Sequence, residues 1–216
     1  MFRKGSLLRE LPLLIVVALV VSLFIKSFLV QFFYIPSGSM ENTLQVNDRV
    51  AVNKLPFFSE EINRGDVVVF RDPDSWLPEA STPTESTIRT KIRDALVLVG
   101  VLPNPAKQYL VKRVIGVAGD RIVCCTDKKI TINGTPVDEP YIFKGNDPSE
   151  MTFDITVDPG KIWVMGDHRS ASADSRFHQD DINKGQVPLS RVTGRVFGVI
   201  WPFNSAKLVP SIPVLK

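Results

Sequence analysis

An uncharged apolar run near the amino terminus limits most strongly what this chain can fold into. No charged residue occurs from Leu11 to Ile25, and after a single lysine the sequence SFLVQFFY continues the run. As a helix, residues 12–33 would be about 33 Å long, enough to cross a hydrocarbon core of about 30 Å. Basic residues precede the run, and such residues usually stay in the cytoplasm. The pattern predicts a single-pass anchor in the plasma membrane, with residues 1–11 inside and residues 34–216 outside.

The same segment also fits a cleaved secretory signal peptide. It has a basic start and an apolar centre, and Ser37-Gly38-Ser39 supplies the small residues typical of a cleavage site. However, the run is longer than the roughly 7–15 residues of a signal-peptide core. Bulky aromatic residues also precede the small ones. The anchor is therefore the favoured interpretation, and the sequence IPSGSM should lie just outside the membrane.

Beyond Asp48, short β-branched and apolar runs alternate with turn residues. The runs are RVAVNKL, DVVVF, YLVKRVIGV, MTFDITV, KIWVM and GRVFGVIWP. Asn133-Gly134, which follows KITI, is typical of a tight hairpin. Sixteen prolines and thirteen glycines agree with many turns. The pattern predicts a mainly β domain, folded as an antiparallel barrel or sandwich after the helix.

Residues 72–108 do not follow the strand pattern. A polar, proline-rich stretch leads into a segment in which apolar residues from Ile88 to Val99 recur at helical spacing. We expect an insertion with a short amphipathic helix. That helix lies either on the protein surface or on the bilayer, where its basic residues would face anionic headgroups.

Composition and rare residues argue against several functions. The formal net charge is +3 without a long basic tract, so no nucleic-acid partner is expected. His168 and His178 are too few for a metal set, and a surface position is expected for each. Cys124 and Cys125 are adjacent, and such cysteines seldom bridge without strain, so two separate thiols are expected. No metal or cofactor is predicted.

One lysine on a predicted strand is a candidate base for serine chemistry. His168 next to Asp167 suits a triad poorly, because neighbours on a strand point to opposite faces. A lysine must be neutral to act, which needs a pKa about three units below its usual value of about 10.4, and apolar burial lowers it. Lys112 shares a strand face with Leu110 and Val114. A solvated lysine is the ordinary alternative.

Two hydroxyl-bearing segments complete the set of candidates. Ser37 and Ser39 flank a glycine directly after the apolar run. The segment MGDHRSASADSR, residues 165–176, follows the strand KIWVM and carries three serines. Within it, Asp174 and Arg176 have opposite charges and are close enough in sequence to pair. The ordinary alternative for this segment is a polar turn.

Four segments resemble the signature boxes of bacterial type I signal peptidases, also called leader peptidases. They are PSGSM, NRGDVVVF, YLVKRVIGVAGD and GDHRSASADSR, in this order, and the resemblance covers nearly the whole chain except residues 72–108. It implies a mostly β catalytic domain outside the cytoplasmic membrane and a Ser/Lys dyad. The implied substrates are preproteins, whose signal peptides are removed at the lipid surface after small residues of the Ala-x-Ala kind. His168 departs from the pattern, since many members have asparagine there.

By motif position, the resemblance implies roles for individual residues. Ser39 would be the nucleophile and Lys112 the general base. Ser37 would join the backbone N–H of Ser39 in the oxyanion hole, and Ser172 would hydrogen-bond and orient the lysine.

The resemblance also implies a supporting loop and a substrate pocket. Asp174 and Arg176 would support the loop that carries the orienting serine. The pocket for small substrate side chains would be lined by Phe33, Ile35, Met40, Leu44, Leu110 and Val111.

Two alternatives come from other classes of protein. A non-catalytic, tethered or secreted β-domain would be favoured by loss of Ser39 or Lys112, and both are present. A different Ser/Lys hydrolase would be a self-cleaving repressor or a cell-wall transpeptidase. The repressor needs a DNA-binding helix pair where this chain has its apolar run. The transpeptidase needs S-x-x-K, whereas Ser39 is followed by Met-Glu-Asn.

Overall fold

The computed structural model of the protein describes residues 7–54, 62–78 and 108–212. These ranges contain one α-helix, α1 (Leu7–Phe28), followed by twelve strands. The strands are β1 (Val30–Tyr34), β2 (Arg49–Asn53), β3 (Val67–Arg71), β4 (Tyr109–Val117), β5 (Arg121–Thr126), β6 (Lys129–Ile132), β7 (Thr135–Pro136), β8 (Phe153–Thr156), β9 (Lys161–Met165), β10 (Val187–Pro188), β11 (Val192–Trp201) and β12 (Lys207–Leu208). Short 3-10 helices occur at Arg169–Ala171, Ser175–Phe177, Leu189–Arg191 and Phe203–Ser205.

The helix ends five residues before the predicted end of the anchor at Phe33. Strand β1 takes up the remaining apolar residues, with Gln31 and Phe33 buried and Phe32 and Tyr34 exposed. The predicted boundary was wrong because an apolar run of this length fits a half-buried strand as well as a helix. Across the described ranges, no helix combines the length and the mean hydropathy of a membrane span.

The strands form two antiparallel sheets, which confirms the mainly β prediction. The larger sheet has eight strands in the order β1-β2-β11-β3-β4-β9-β10, with β12 paired to β11. The smaller sheet has four strands in the order β7-β6-β5-β8. Neither sheet closes on itself within the described residues, so the predicted barrel is wrong. After β4, the chain turns at Gly119 and continues as β5 in the other sheet, so it starts a second layer instead of closing the first.

The predicted strand segments are all strands, and the predicted hairpin joins β6 to β7. Asn133 and Gly134 have φ of 53° and 81°, as a tight turn of this kind requires. The strands β10 and β12 were not predicted, because two residues each are too few to show a strand pattern. The predicted helix within residues 88–99 lies outside the described residues. Cys124 and Cys125, which were expected as separate thiols, lie next to each other on β5 with their sulfur atoms in contact.

Strand β4 lies at the centre of the fold and positions the site. On one side, Leu110 and Val114 join a cluster that also contains Phe70 of β3 and Val164 of β9. On the other, Val111 packs against a second cluster under β1, β2 and β11. Burying each such side chain contributes about 1.5–3 kcal/mol, so β4 is held rigidly between its neighbours.

Candidate active site

A serine and a lysine that lie far apart in the sequence meet beside β4, an interior strand of the larger sheet. Lys112 Nζ donates a hydrogen bond of 2.7 Å to Ser39 Oγ. The lysine projects from the centre of β4, where it pairs with Val68 of β3, and its side chain is only 4% exposed. Ser39 lies in the turn that follows β1 and is partly exposed. A substrate can therefore reach the serine, while the lysine is shielded from water.

Burial lowers the pKa of Lys112 to about 8, because the charged ammonium loses its hydration. Nearby charges act in both directions: Asp174 and Asp167 raise the pKa, and Arg176 lowers it. A pKa near 8 leaves a useful fraction of the amine neutral at physiological pH. In that form, the same short contact lets the Ser39 hydroxyl donate to the amine.

The turn that carries Ser39 is tied to the rest of the domain by its own side chains. Asn42 has a φ of 86°, which asparagine tolerates better than most residues, and its Nδ2 donates to Tyr141 O at 3.0 Å. Thr43 Oγ1 donates to the Asp167 carboxylate. The backbone N–H of His168 donates to Ser39 O at 3.1 Å. These bonds fix the nucleophile turn against the segment that follows β9.

Three buried arginines hold this segment, and each is paired with a carboxylate. Arg113 bonds Asp167 through Nε at 2.8 Å and Nη2 at 2.7 Å, and both side chains are inaccessible to solvent. Arg176 bonds Asp174 in the same two-pronged way. The third pair is Arg169 with Glu139, at 2.6 Å. Two-pronged pairs of this kind fix geometry as well as charge.

Asp174 and Arg176 also bond backbone groups around the loop that contains Ser172. Asp174 Oδ2 also accepts from Gly166 N at 3.0 Å, and Arg176 Nη2 donates to Arg169 O at 2.8 Å. Through these bonds, the pair closes the loop that contains Ser172 onto the end of β9. Their proposed supporting role stays a prediction, and their contacts agree with it.

Ser172 lies close to the dyad, but its predicted hydrogen bond to Lys112 is absent. Its hydroxyl is buried, and it has no hydrogen-bond partner in the described part of the chain. Gly166 packs directly beside it: a Cβ there would overlap Ser172 Oγ and lie 2.5 Å from Ser39 O. Ser172 therefore packs against the backbone of Gly166. The hydrogen bond of Lys112 goes to Ser39 instead.

A cleft with a volume of about 290 Å³ opens beside the dyad. Ser37, Ser39 and Lys112 lie on its wall, together with five of the six predicted pocket residues. These five are Phe33, Ile35, Met40, Leu110 and Val111. The sixth, Leu44, does not line the cleft, because it is fully buried in the cluster beneath β1 and β2. Further lining residues that the sequence did not indicate are Tyr34, Pro36, Leu77, Tyr109, Ala171 and Ala173.

Both histidines are half-buried, contrary to the expected surface positions. His168 Nδ1 contacts Glu41 Oε2 at 3.0 Å, and its ring stacks on Phe143. His178 Nδ1 contacts Asp181 Oδ2 at 3.1 Å. Neither ring bonds a serine in the described residues, and Asp167 is taken up by Arg113. A Ser-His-Asp triad is therefore not assembled here.

Sequence reasoning missed the residues that act through pairing. The sequence indicated no role for Arg113, and it indicated Asp167 only as a poor triad member. Their contact spans 54 positions, and neither local pattern nor spacing indicates it. The alternation of small residues in SASAD was the available signal for Ala171 and Ala173 at the cleft, because large side chains there would fill it.

Comparison with known proteins places the chain in a family. The model of the signal peptidase family, peptidase S26, matches residues 8–201. Signal peptidase I of Mycobacterium tuberculosis (strain ATCC 25618 / H37Rv) is 37% identical over 233 residues, covering 97% of this chain and 78% of the relative. Signal peptidase I of Bacillus licheniformis is 30% identical, covering 95% and 94%. The crystal structure of a signal peptidase I from Enterococcus faecalis V583 aligns with 62% of this chain and 96% of its own, at 22% identity and a TM-score of 0.39.

The class of protein follows first: the chain is a hydrolase of peptide bonds, a serine endopeptidase. Within that class, it belongs to the signal peptidase family, peptidase S26.

Proposed function

We propose that this protein removes signal peptides from exported preproteins at a membrane surface, with Ser39 as nucleophile and Lys112 as general base. One observation carries the proposal: a buried lysine with a pKa of about 8 lies 2.7 Å from the hydroxyl of a serine on the wall of an open cleft. The relatives named signal peptidase I supply the substrate class.

In the proposed reaction, Ser39 and Lys112 carry out every proton transfer, and water is the second reactant. Neutral Lys112 takes the proton from Ser39 Oγ as the oxygen attacks the scissile carbonyl carbon. The resulting ammonium then gives this proton to the departing amine, which leaves an ester on Ser39. A water molecule, deprotonated by the same amine, attacks this ester, and the ammonium returns the proton to the departing Ser39 Oγ, which restores the serine and the neutral lysine.

The oxyanion would be held by the backbone N–H of Ser39 and the hydroxyl of Ser37. Ser37 is exposed on the cleft wall, so its hydroxyl is free to turn toward a bound substrate. Removing one such donor typically lowers kcat by about 10²–10³-fold, because the interaction strengthens only in the transition state. Ser37→Ala should therefore lower kcat with little change in KM, and an unchanged kcat would remove Ser37 from this role.

Specificity for small residues would come from the shape of the cleft. Its walls are mostly apolar, and Ala171 and Ala173 lie among the lining residues. We expect a model preprotein with alanine before the scissile bond to be cut. The same preprotein with phenylalanine at that position should be cut at least about tenfold more slowly, because overfilling a well-packed site costs about 1–3 kcal/mol.

Contact with lipid is part of the proposal. The described side chains of α1 from Leu11 to Val21 are all exposed, and most are large and apolar. Exposed apolar surface on this scale marks an interaction site. The apolar signal sequence of a substrate lies in the bilayer, so we expect α1 to contact the same bilayer. The basic residues before Leu11 would stay on the cytoplasmic side, and the sheets would lie outside.

Cleavage of a model preprotein by purified protein tests the proposal. Ser39→Ala and Lys112→Ala should abolish cleavage. Ser170→Ala and Lys129→Ala are matched controls, since Ser170 is an exposed serine of the same loop and Lys129 an exposed lysine on another strand. Activity retained by Ser39→Ala, or lost equally in the controls, would contradict it.

A further inference from the structure

A carboxylate and a histidine form a pair beside the nucleophile that the proposed chemistry does not use. Glu41 comes two residues after Ser39, and its Oε2 lies 3.0 Å from Nδ1 of His168. The two side chains are 30% and 18% exposed, so water screens the contact only in part. The pair joins the turn that carries the nucleophile to the loop that carries Ser172.

The His168 ring is itself held in place. It stacks on Phe143, with ring centroids 4.1 Å apart and an angle of 15° between the planes. The backbone N–H of Phe143 donates to Asp167 O at 2.9 Å, next to the histidine in sequence. The imidazole is therefore a fixed point, and Glu41 is the partner whose position depends on it.

The carboxylate of Glu41 lies directly against Gly38. A Cβ built on Gly38 would be 2.9 Å from both Glu41 Cδ and Oε1, so the carboxylate fills the space that a side chain at position 38 would need. The proposed oxyanion site lies on either side of this glycine, at Ser37 and Ser39. A carboxylate that moved freely here would oppose a developing negative charge, so its position matters to the reaction.

We infer that Glu41 and His168 act as a positioning pair that fixes the nucleophile turn and the place of the Glu41 carboxylate beside the proposed oxyanion site. His168 reaches the turn at two points: its backbone N–H bonds Ser39 O, and its ring bonds the Glu41 side chain. Two bonds from one residue restrain both the position and the rotation of the turn. The readout in turnover rests on the proposed function.

The experiment compares Glu41→Ala, Glu41→Gln, His168→Ala and the double alanine variant in preprotein cleavage. Either alanine change should lower kcat by about tenfold with little change in KM, as expected when a positioned group is lost. Glu41→Gln should stay within about threefold of the parent, because its amide oxygen still accepts from the imidazole N–H. The double variant should lose no more than about threefold beyond either single one, since both changes break one contact.

A matched control exists in the other histidine. His178 also contacts a carboxylate through Nδ1, at 3.1 Å to Asp181, and its ring stacks on Trp76 with centroids 4.4 Å apart. Its pair is exposed to nearly the same degree, 19% and 31%. His178→Ala and Asp181→Ala should each leave kcat within about twofold, because neither residue touches the nucleophile turn.

Amide hydrogen exchange supplies a readout that does not depend on turnover. Loss of the pair should raise the exchange rate of the His168 amide by about tenfold, because its bond to Ser39 O then opens more often. If Glu41→Ala and His168→Ala change neither the exchange rate of this amide nor kcat, the positioning role of the pair is contradicted. If the parent fails to cut any preprotein, the proposed function fails, and the exchange measurement still decides whether the pair fixes the turn.

Discussion

Two kinds of buried cation lie side by side in this molecule, and their surroundings differ. Arg113, Arg169 and Arg176 are each at most 1% exposed, and each bonds a carboxylate through two nitrogens. Lys112 is almost as deeply buried, yet in the described residues it has a serine hydroxyl as its hydrogen-bond partner and no carboxylate within ion-pair distance. The arginines are thereby kept charged, whereas the lysine is left free to become neutral.

The difference is clearest between adjacent residues of one strand. Lys112 and Arg113 follow each other on β4 and point to opposite faces, as strand geometry requires. On the face that carries Lys112, the neighbouring side chains are apolar, and the cleft opens beside them. The face with Arg113 meets Asp167, Gly65 O and the Tyr141 ring, whose centroid lies 4.2 Å from Arg113 Cζ. One strand thus supplies both a base and a structural cation.

The largest expected effect comes from making the lysine a permanent cation. Lys112→Arg should lower cleavage of a preprotein by at least about 10³-fold, because a guanidinium does not give up its proton and cannot act as base. The measurement is single-turnover cleavage at pH 8. Lys129→Arg on an exposed strand position is the control, and substantial activity in Lys112→Arg would refute a lysine base.

A second change breaks one of the arginine pairs. Asp174→Ala should lower the free energy of unfolding by about 3–5 kcal/mol, because it leaves the Arg176 cation buried without its partner. Urea unfolding followed by tryptophan fluorescence measures this loss. Asp154→Ala is the control: its pair with Arg121 is exposed to solvent, so the loss should be much smaller. Equal losses in the two variants would contradict the distinction between the pairs.

A third change removes the unpaired cation, and here stability should rise. The drop in the Lys112 pKa from 10.5 to about 8 corresponds to about 3 kcal/mol that folding must supply below pH 8. Lys112→Met, of similar volume, should therefore be more stable at pH 7 by up to about 3 kcal/mol while being inactive.

The pH dependence of unfolding checks the sign of that effect. Between pH 8 and 10.5, the unfolded parent binds a proton that the folded parent has lost, so the stability of the parent should rise with pH. Lys112→Met should lack this rise. If the parent gains no stability relative to Lys112→Met across the same window, the lysine keeps its proton in the folded protein.

The smallest effect concerns Ser172. Its buried hydroxyl has no partner in the described residues, so Ser172→Ala should raise the free energy of unfolding by about 1 kcal/mol. The pH profile of cleavage should keep its midpoint, because the hydroxyl does not bond Lys112. A displaced midpoint would restore the orienting role that the resemblance implied.

Local sequence patterns predicted the secondary-structure elements better than they predicted which residues contact each other. Short β-branched and apolar runs bounded by turn residues identified β2, β3, β4 and β9, and the Asn133-Gly134 pair identified the hairpin. The same rules assigned β1 to the anchor, because apolar residues do not reveal whether a bilayer or a sheet covers them. Gln31 in SFLVQFFY was a weak indication of the strand, and it is buried there.

The prediction of the site depended on the order of the four motifs and on their resemblance to a known family. Ser39 and Lys112 are 73 positions apart, and nothing in either segment alone shows that they touch. The burial of Lys112 followed from its strand neighbours, since Leu110 and Val114 are core residues. The roles of Arg113 and His168 could not be found this way, because a paired side chain and a solvated one look the same in a sequence.

The pH dependence of kcat/KM for preprotein cleavage tests most directly whether Lys112 is the neutral base. Measured from pH 6 to 10, with single-turnover rates to isolate the chemical step, kcat/KM should rise tenfold per pH unit at low pH and level off above a midpoint near 8. A profile that is flat from pH 6 to 9, or that still rises at pH 10, would contradict the account.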